Sequence, residues 1–252
     1  MYVTDRPFVI LVGSFVALVL AAAAGDFVRT KTRPLTEAQR SDLGIVLTAM
    51  LTLLGLLIGF TFAMATNRYD QRKNYEEAEA NAIGTEYLRA QLLPAEDVAR
   101  VQQLLVRYLN ARVSYYTLRD ASQLPQLNSD TAQLQDALWS AVLPKSDAQL
   151  NSVYALVISG MNDVLNSQGY TQAAWWNRIP HTAWVLVSFI ALSCSFLIGY
   201  VGHRRGAGTF IIVPIAVSIA LFLIADIDSP SAGLITVTPQ NLLALSQSIR
   251  PR

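Results

Sequence analysis

The chain has 252 residues, 52% of them hydrophobic and 15% charged, with a formal net charge of +1. Soluble domains carry roughly 25% charged residues, so the deficit points to a chain with much of its length in lipid, and its dispersed arginines argue against a nucleic-acid partner. The single cysteine, Cys194, excludes an intrachain disulfide and a thiol-rich metal site.

No Asp, Glu, Lys or Arg lies between Arg6 and Asp26, Asp42 and Arg68, Arg178 and Arg204, or Arg205 and Asp226. Each window is mostly apolar and long enough to cross a bilayer as a helix of about 20 residues. The first helix is expected from about Phe8 to Ala24. The small residues Ala21 to Gly25 resemble a signal-peptide cleavage region. However, Asp5 and Arg6 leave the start without a positive bias and the apolar run is long, so a retained membrane helix is the reading.

Thr36 to Gln39 has the spacing of a capping box, so the second helix begins before lipid. It runs from about Leu43 through Asn67, and only Gly84 could interrupt it before Leu93. The same helix is therefore expected to project out of the membrane. Gly55 and Gly59 form a GxxxG pattern, whose ordinary meaning is close helix packing. Phe60 and Phe62 read first as lipid- or core-facing. Asn67, Arg68, Arg72 and Lys73 read as an interface anchor, or more sharply as an anion-attracting pore mouth. Glu76, Glu77 and Glu79 read as a solvated face.

The insertion 68–178 reads as all-helical. Val98, Val101, Leu105, Tyr108, Arg112 and Tyr116 make a stripe at helical spacing, set off by Pro94. A shorter helix over 128–143 ends at Pro144. Ser146 to Gln149 is a second capping-box match, with Leu150, Val153, Val157, Met161 and Val164 on one face after it. Trp175, Trp176 and Trp184 flank the third span as interfacial aromatics do. A hairpin over 202–208 leads to the fourth, which contains Pro214. His181 and His203 read as interfacial hydrogen-bonding groups, and Cys194 as a packing residue.

The fold expected is all-α: a polytopic membrane protein with four transmembrane helices and a helical insertion between the second and third. Its segments are 1–67, 68–178, 179–226 and a polar tail, 227–252. The short connectors carry Arg29, Lys31, Arg33, Arg40, Arg204 and Arg205, against Arg6, Arg68, Arg72, Lys73 and Arg178 on the other side. Loop charge thus favours short connectors in the cytoplasm without deciding orientation.

The run GLLIGFTFAMATNRYDQRK over 55–73, followed by EANAIGTEYLR over 79–89, resembles the bacterial bestrophin-like membrane family (the DUF4239 group), and more distantly the bestrophin channels. The acidic, proline-bearing segment from Asp226 to Leu243 resembles the one that follows the last bestrophin span. The resemblance implies a multi-pass protein of the bacterial inner membrane, with the insertion and both termini cytoplasmic. It implies a homo-oligomer, a pentamer, whose second helices line a pore for permeant ions. Aligned on Arg68, Thr52, Leu56 and Phe60 fall at the apolar pore neck, where large side chains can stop ions by dewetting. Thr52 is polar, and Gly55 and Gly59 lie between the neck positions, which departs from the family's pattern. Asp226 and Asp228 fall where animal bestrophins hold calcium, but two carboxylates are few for an ion that takes six to eight oxygens, and no metal or cofactor is expected.

No enzyme signature appears: HExxH, GxSxG, a phosphate loop and a Cys/His cluster are all missing from the sequence. The membrane windows also lack the ionisable residues that coupled transporters use. The first reading is a passive, oligomeric channel with anions as cargo. The alternative is a non-conducting membrane scaffold or accessory subunit with a helical docking domain. A third and weaker one is a sensor whose insertion binds ligands outside the cytoplasm.

Overall fold

A reciprocal cap opens the longest element of the structure, a computed structural model describing residues 6–118, 121–146, 151–202, 207–230 and 233–249. The Thr36 amide donates to Gln39 Oε1 at 3.1 Å, and the Gln39 amide donates to Thr36 Oγ1 at 3.3 Å. This satisfies two of the amides a helix leaves open at its start. Helix α2 then runs from Glu37 to Arg89, 53 residues without a proline. At 1.5 Å per residue that is about 80 Å, far more than the hydrocarbon layer needs. The expected projection beyond the membrane window is therefore present. After a single 3₁₀ turn, Ala90–Leu92, Pro94 caps the next helix.

The other helices are α1 (Pro7–Lys31), α3 (Ala95–Thr117), α4 (Leu124–Val142), α5 (Ser152–Trp176), α6 (His181–Val201), α7 (Ala207–Asp228) and α8 (Gln240–Ser248). No strand occurs among the described residues. Four helical stretches are long and apolar enough to cross a membrane: α1, α2, the stretch 152–201 that ends in α6, and 210–228 of α7. The second expected capping box includes residues 147–149, and these, with Leu150 and His203, lie outside the described residues. Asn151 caps α5, its side chain accepting from the amides of Val153 and Tyr154.

The chain divides into two compact units. One comprises Met1–Tyr69 and Arg178–Thr236. In it, Leu18 of α1, Leu54 of α2, Val187, Ile190, Ala191 and Cys194 of α6, and Val217 and Leu221 of α7 form one core. Ala65, Ile179, Ile224 and Ile227 form a second, and Trp184 packs on both. Helices α1 and α6 approach so closely that a Cβ on Gly25 would strike the backbone of Phe196 and Tyr200, and one on Gly199 would strike that of Ala22 and Asp26. The small residues near Ala22 thus have a packing reason, as small residues do between membrane helices.

The other unit comprises Asp70–Asn177 and Val237–Arg252. Its core holds Ile83, Val101, Leu105, Tyr108, Leu109, Leu138, Val142, Val157, Met161, Val164 and Leu242, all nearly or fully buried. The α3 stripe lies inward as the spacing requires, and Arg112 is buried with it. Two expectations fail here. Val153 is exposed, and the buried residue of that turn is Tyr154. Trp175 is half-buried and packed on aromatic rings rather than free, with its centroid 4.8 Å from Tyr115 and 5.6 Å from Tyr116, whereas Trp176 is exposed.

Candidate functional site

The membrane part of α2 has two unlike faces. Leu54, Thr61 and Ala65 are buried, and Leu47, Met50, Leu51, Leu57 and Ile58 pack beside them. On the other side Thr52, Gly55, Leu56, Gly59, Phe60 and Ala63 form an exposed stripe. These positions recur at three- and four-residue spacing, so they share one face of the helix. Leu56 is 53% and Phe60 61% exposed within the chain. No atom comes within 4 Å of where a Cβ on Gly55 or Gly59 would sit. No described residue of the chain therefore requires those glycines, and the space beside them is open within the described structure. The Thr52 hydroxyl donates to the carbonyl of Thr48 at 3.0 Å, so its polarity is partly spent on its own helix.

Where α2 leaves the apolar window, Asn67 and Lys73 are exposed and Arg68 is half-buried. Arg72 corrects the expected anchor group. It is fully buried and donates Nε to the carbonyl of Ala174 at 3.2 Å and Nη2 to that of Asn177 at 3.4 Å. Its charge sits on the open carbonyls at the C-terminus of α5, where a cation is favourable. The glutamate run is corrected as well. Glu77 is exposed, but Glu76 and Glu79 are buried. Glu76 accepts from Asn241 Nδ2 at 2.7 Å and from the Leu242 amide at 2.9 Å, at the start of α8. Glu79 pairs with Arg112 and accepts from the Thr171 hydroxyl at 3.1 Å. Sequence reasoning missed this because it took charge as a sign of solvent. The available signal was phase: Arg72, Glu76, Glu79, Ile83, Glu86 and Ala90 follow a four-three spacing, and all six are buried.

After α7, Asp226 accepts the amides of Leu234 and Ile235, both at 2.8 Å. Gly233, at φ +132°, leaves the room that this return of the chain needs, since a Cβ there would meet the same carboxylate. Asp228 accepts the Ile179 amide at 3.2 Å, and its carbonyl accepts from Arg178 Nη1 at 3.0 Å. Both carboxylates are thus turned onto backbone amides. Among the described residues no three His, Cys, Asp or Glu side chains are grouped to hold a metal.

A family model described as the Bestrophin-like domain matches residues 13–242, which takes in α2, the buried charge stripe and the loop after α7. The chain belongs to the bestrophin-like family. A crystal structure of a bacterial bestrophin homologue from Klebsiella pneumoniae, phased by Zn-SAD, superposes with a TM-score of 0.59 at 14% identity, covering 95% of this chain and 98% of that one. Two single-residue variants of that homologue each reach a TM-score of 0.62 at 14% identity, one covering 96% of this chain and 99% of its own, the other 99% and 96%. No curated protein shows significant sequence similarity. At such low identity the likeness establishes a bestrophin fold in a helical membrane protein. The roles of individual residues in this bestrophin-like chain must be argued from its own geometry.

Proposed function

We propose that this bestrophin-like protein is an ion-channel subunit. Identical copies, five by family resemblance, gather about one axis, and the Thr52, Leu56 and Phe60 face of α2 lines a passive pathway, chiefly for anions. The observation that carries the reading is that face itself: uncharged, running the length of a membrane helix, and open among the described residues, with two glycines that no described neighbour requires. Large apolar side chains at a constriction hold back ions by dewetting, and a small widening admits water and ions. Asn67, Arg68 and Lys73 lie where α2 leaves its apolar window, and they would set the charge at one mouth. In this reading the insertion and both termini lie in the cytoplasm of a bacterial cell, and the membrane is the inner one.

The test is the mass of the purified complex, followed by current recording in planar bilayers. Ring-forming oligomers with anion-biased currents are expected, and Phe60→Ala should raise conductance or leak. A monomer, or an oligomer that carries no current, would replace the channel with a membrane scaffold. Active wild-type currents left unchanged by Phe60→Ala would remove the neck assignment alone.

A further inference from the structure

Four ionisable side chains lie on the buried stripe of α2: Arg72, Glu76, Glu79 and Glu86, none more than 2% exposed. A buried charge is tolerated when donors or an opposite charge answer it, and otherwise the group gives up its charge. Three of the four are answered. Arg72 has the carbonyls of Ala174 and Asn177, Glu76 has Asn241 and the Leu242 amide, and Glu79 has Arg112 and Thr171. The fourth is not: among the described residues neither carboxyl oxygen of Glu86 has a hydrogen-bond partner.

What faces Glu86 is a glycine. A Cβ on Gly160 of α5 would collide with the Glu86 carboxyl and the Arg89 guanidinium together, so both side chains press against the bare backbone of α5. The charges acting on Glu86 are Arg89 from its own helix and Asp163 from α5. The 90–92 turn, which also packs on α5, carries no ionisable group. Arg89 sits beside the carboxyl without hydrogen-bonding it, and Asp163 opposes a second negative charge there.

We propose that Glu86 is a proton-operated latch: its neutral carboxyl lets α2 close on α5 at Gly160, and loss of that proton loosens the contact. The proton passes to solvent or buffer base, and the carboxylate left behind has no donor in place. Burial pushes the Glu86 carboxyl up to about 8, with Arg89 pulling it down and Asp163 adding to the rise. The closed state therefore keeps a proton that an opened, solvated carboxyl surrenders above about 4.5. Because the closed state binds more protons, its stability falls as pH rises from there to about 8, and is level above. The latch lies wholly within one compact unit and does not depend on the channel reading.

The test uses the full-length protein in detergent. Hydrogen exchange over residues 157–164 is compared between wild type and Glu86→Gln at equal pH, which cancels the intrinsic pH dependence of exchange. The protection ratio of wild type to variant should be near unity at pH 4, fall by up to about tenfold per pH unit between about 5 and 8, and then level off. Glu86→Met, apolar and similar in size, replaces the glutamine variant if that one fails to fold. Infrared titration of the wild type provides a second readout, with a protonated-carboxyl band present at pH 6.5, lost by pH 9.5 and missing from the variant. A ratio that does not change with pH, or a band that survives the substitution, would overturn the proposal.

Discussion

Arg112 offers Nε and Nη2 to the two carboxylate oxygens of Glu79, in a pair closed to solvent on both sides. The guanidinium also lies over the Tyr115 ring, 4.6 Å from its centroid. Removing one partner of such a pair strands the other charge, which costs about 3–5 kcal/mol, whereas replacing both with apolar groups is often neutral. Arg112→Met should therefore destabilise the protein strongly in denaturant titrations in detergent. Adding Glu79→Leu should restore much of the loss, short of full recovery because the Thr171 hydroxyl loses its acceptor.

Helix α8 is held by a carboxylate at its N-terminus, where the amides are open and negative charge is favoured. Glu76→Ala removes the acceptor of both Asn241 and the Leu242 amide, at a cost of about 1–3 kcal/mol. The expected result is local: faster hydrogen exchange and proteolysis over 240–248, with little change in α6. Leu242→Ala, at a fully buried position, should release the same helix at about 2–5 kcal/mol.

The loop after α7 uses carboxylates as backbone acceptors. Asp226→Ala would leave the amides of Leu234 and Ile235 without partners and should lower stability by about 1–3 kcal/mol. Since these oxygens are already engaged, neither adding calcium nor chelating it should move the wild-type thermal midpoint. A calcium-dependent rise that Asp226→Ala abolishes would show instead that the loop rearranges to bind the ion.

Gly199 permits backbone contact between α1 and α6. Gly199→Val would force the two helices apart, and membrane helices associate through just such close packing. Reduced yield of folded protein and a lower midpoint are expected. Gly55→Ala, placed in open space within the chain, should leave the folding of the single chain nearly intact. Any effect it has should instead appear in oligomer assembly or current.

What the sequence determined by itself was set by local chemistry. Uncharged, mostly apolar windows of about 20 residues match the hydrocarbon thickness of a bilayer and so mark membrane helices. The proline-free stretch after Thr36 could hold one helix through Arg89, and the Thr36–Gln39 cap marked its start. That Thr52, Leu56 and Phe60, picked out by the resemblance, share a helix face was legible too, because residues four apart do; that the face is open among the described residues was not. Tertiary structure decided which charges leave water. Glu76, Glu77 and Glu79 look alike in sequence, yet Glu77 is exposed while its neighbours are buried against α8 and α3. Their partners lie far along the chain, and no local pattern announces a contact that only folding creates. The same holds for Glu86, whose isolation follows from what α5 does not supply opposite it. Helical period selects the face a residue occupies, but only the packed neighbour decides whether a charge there is answered.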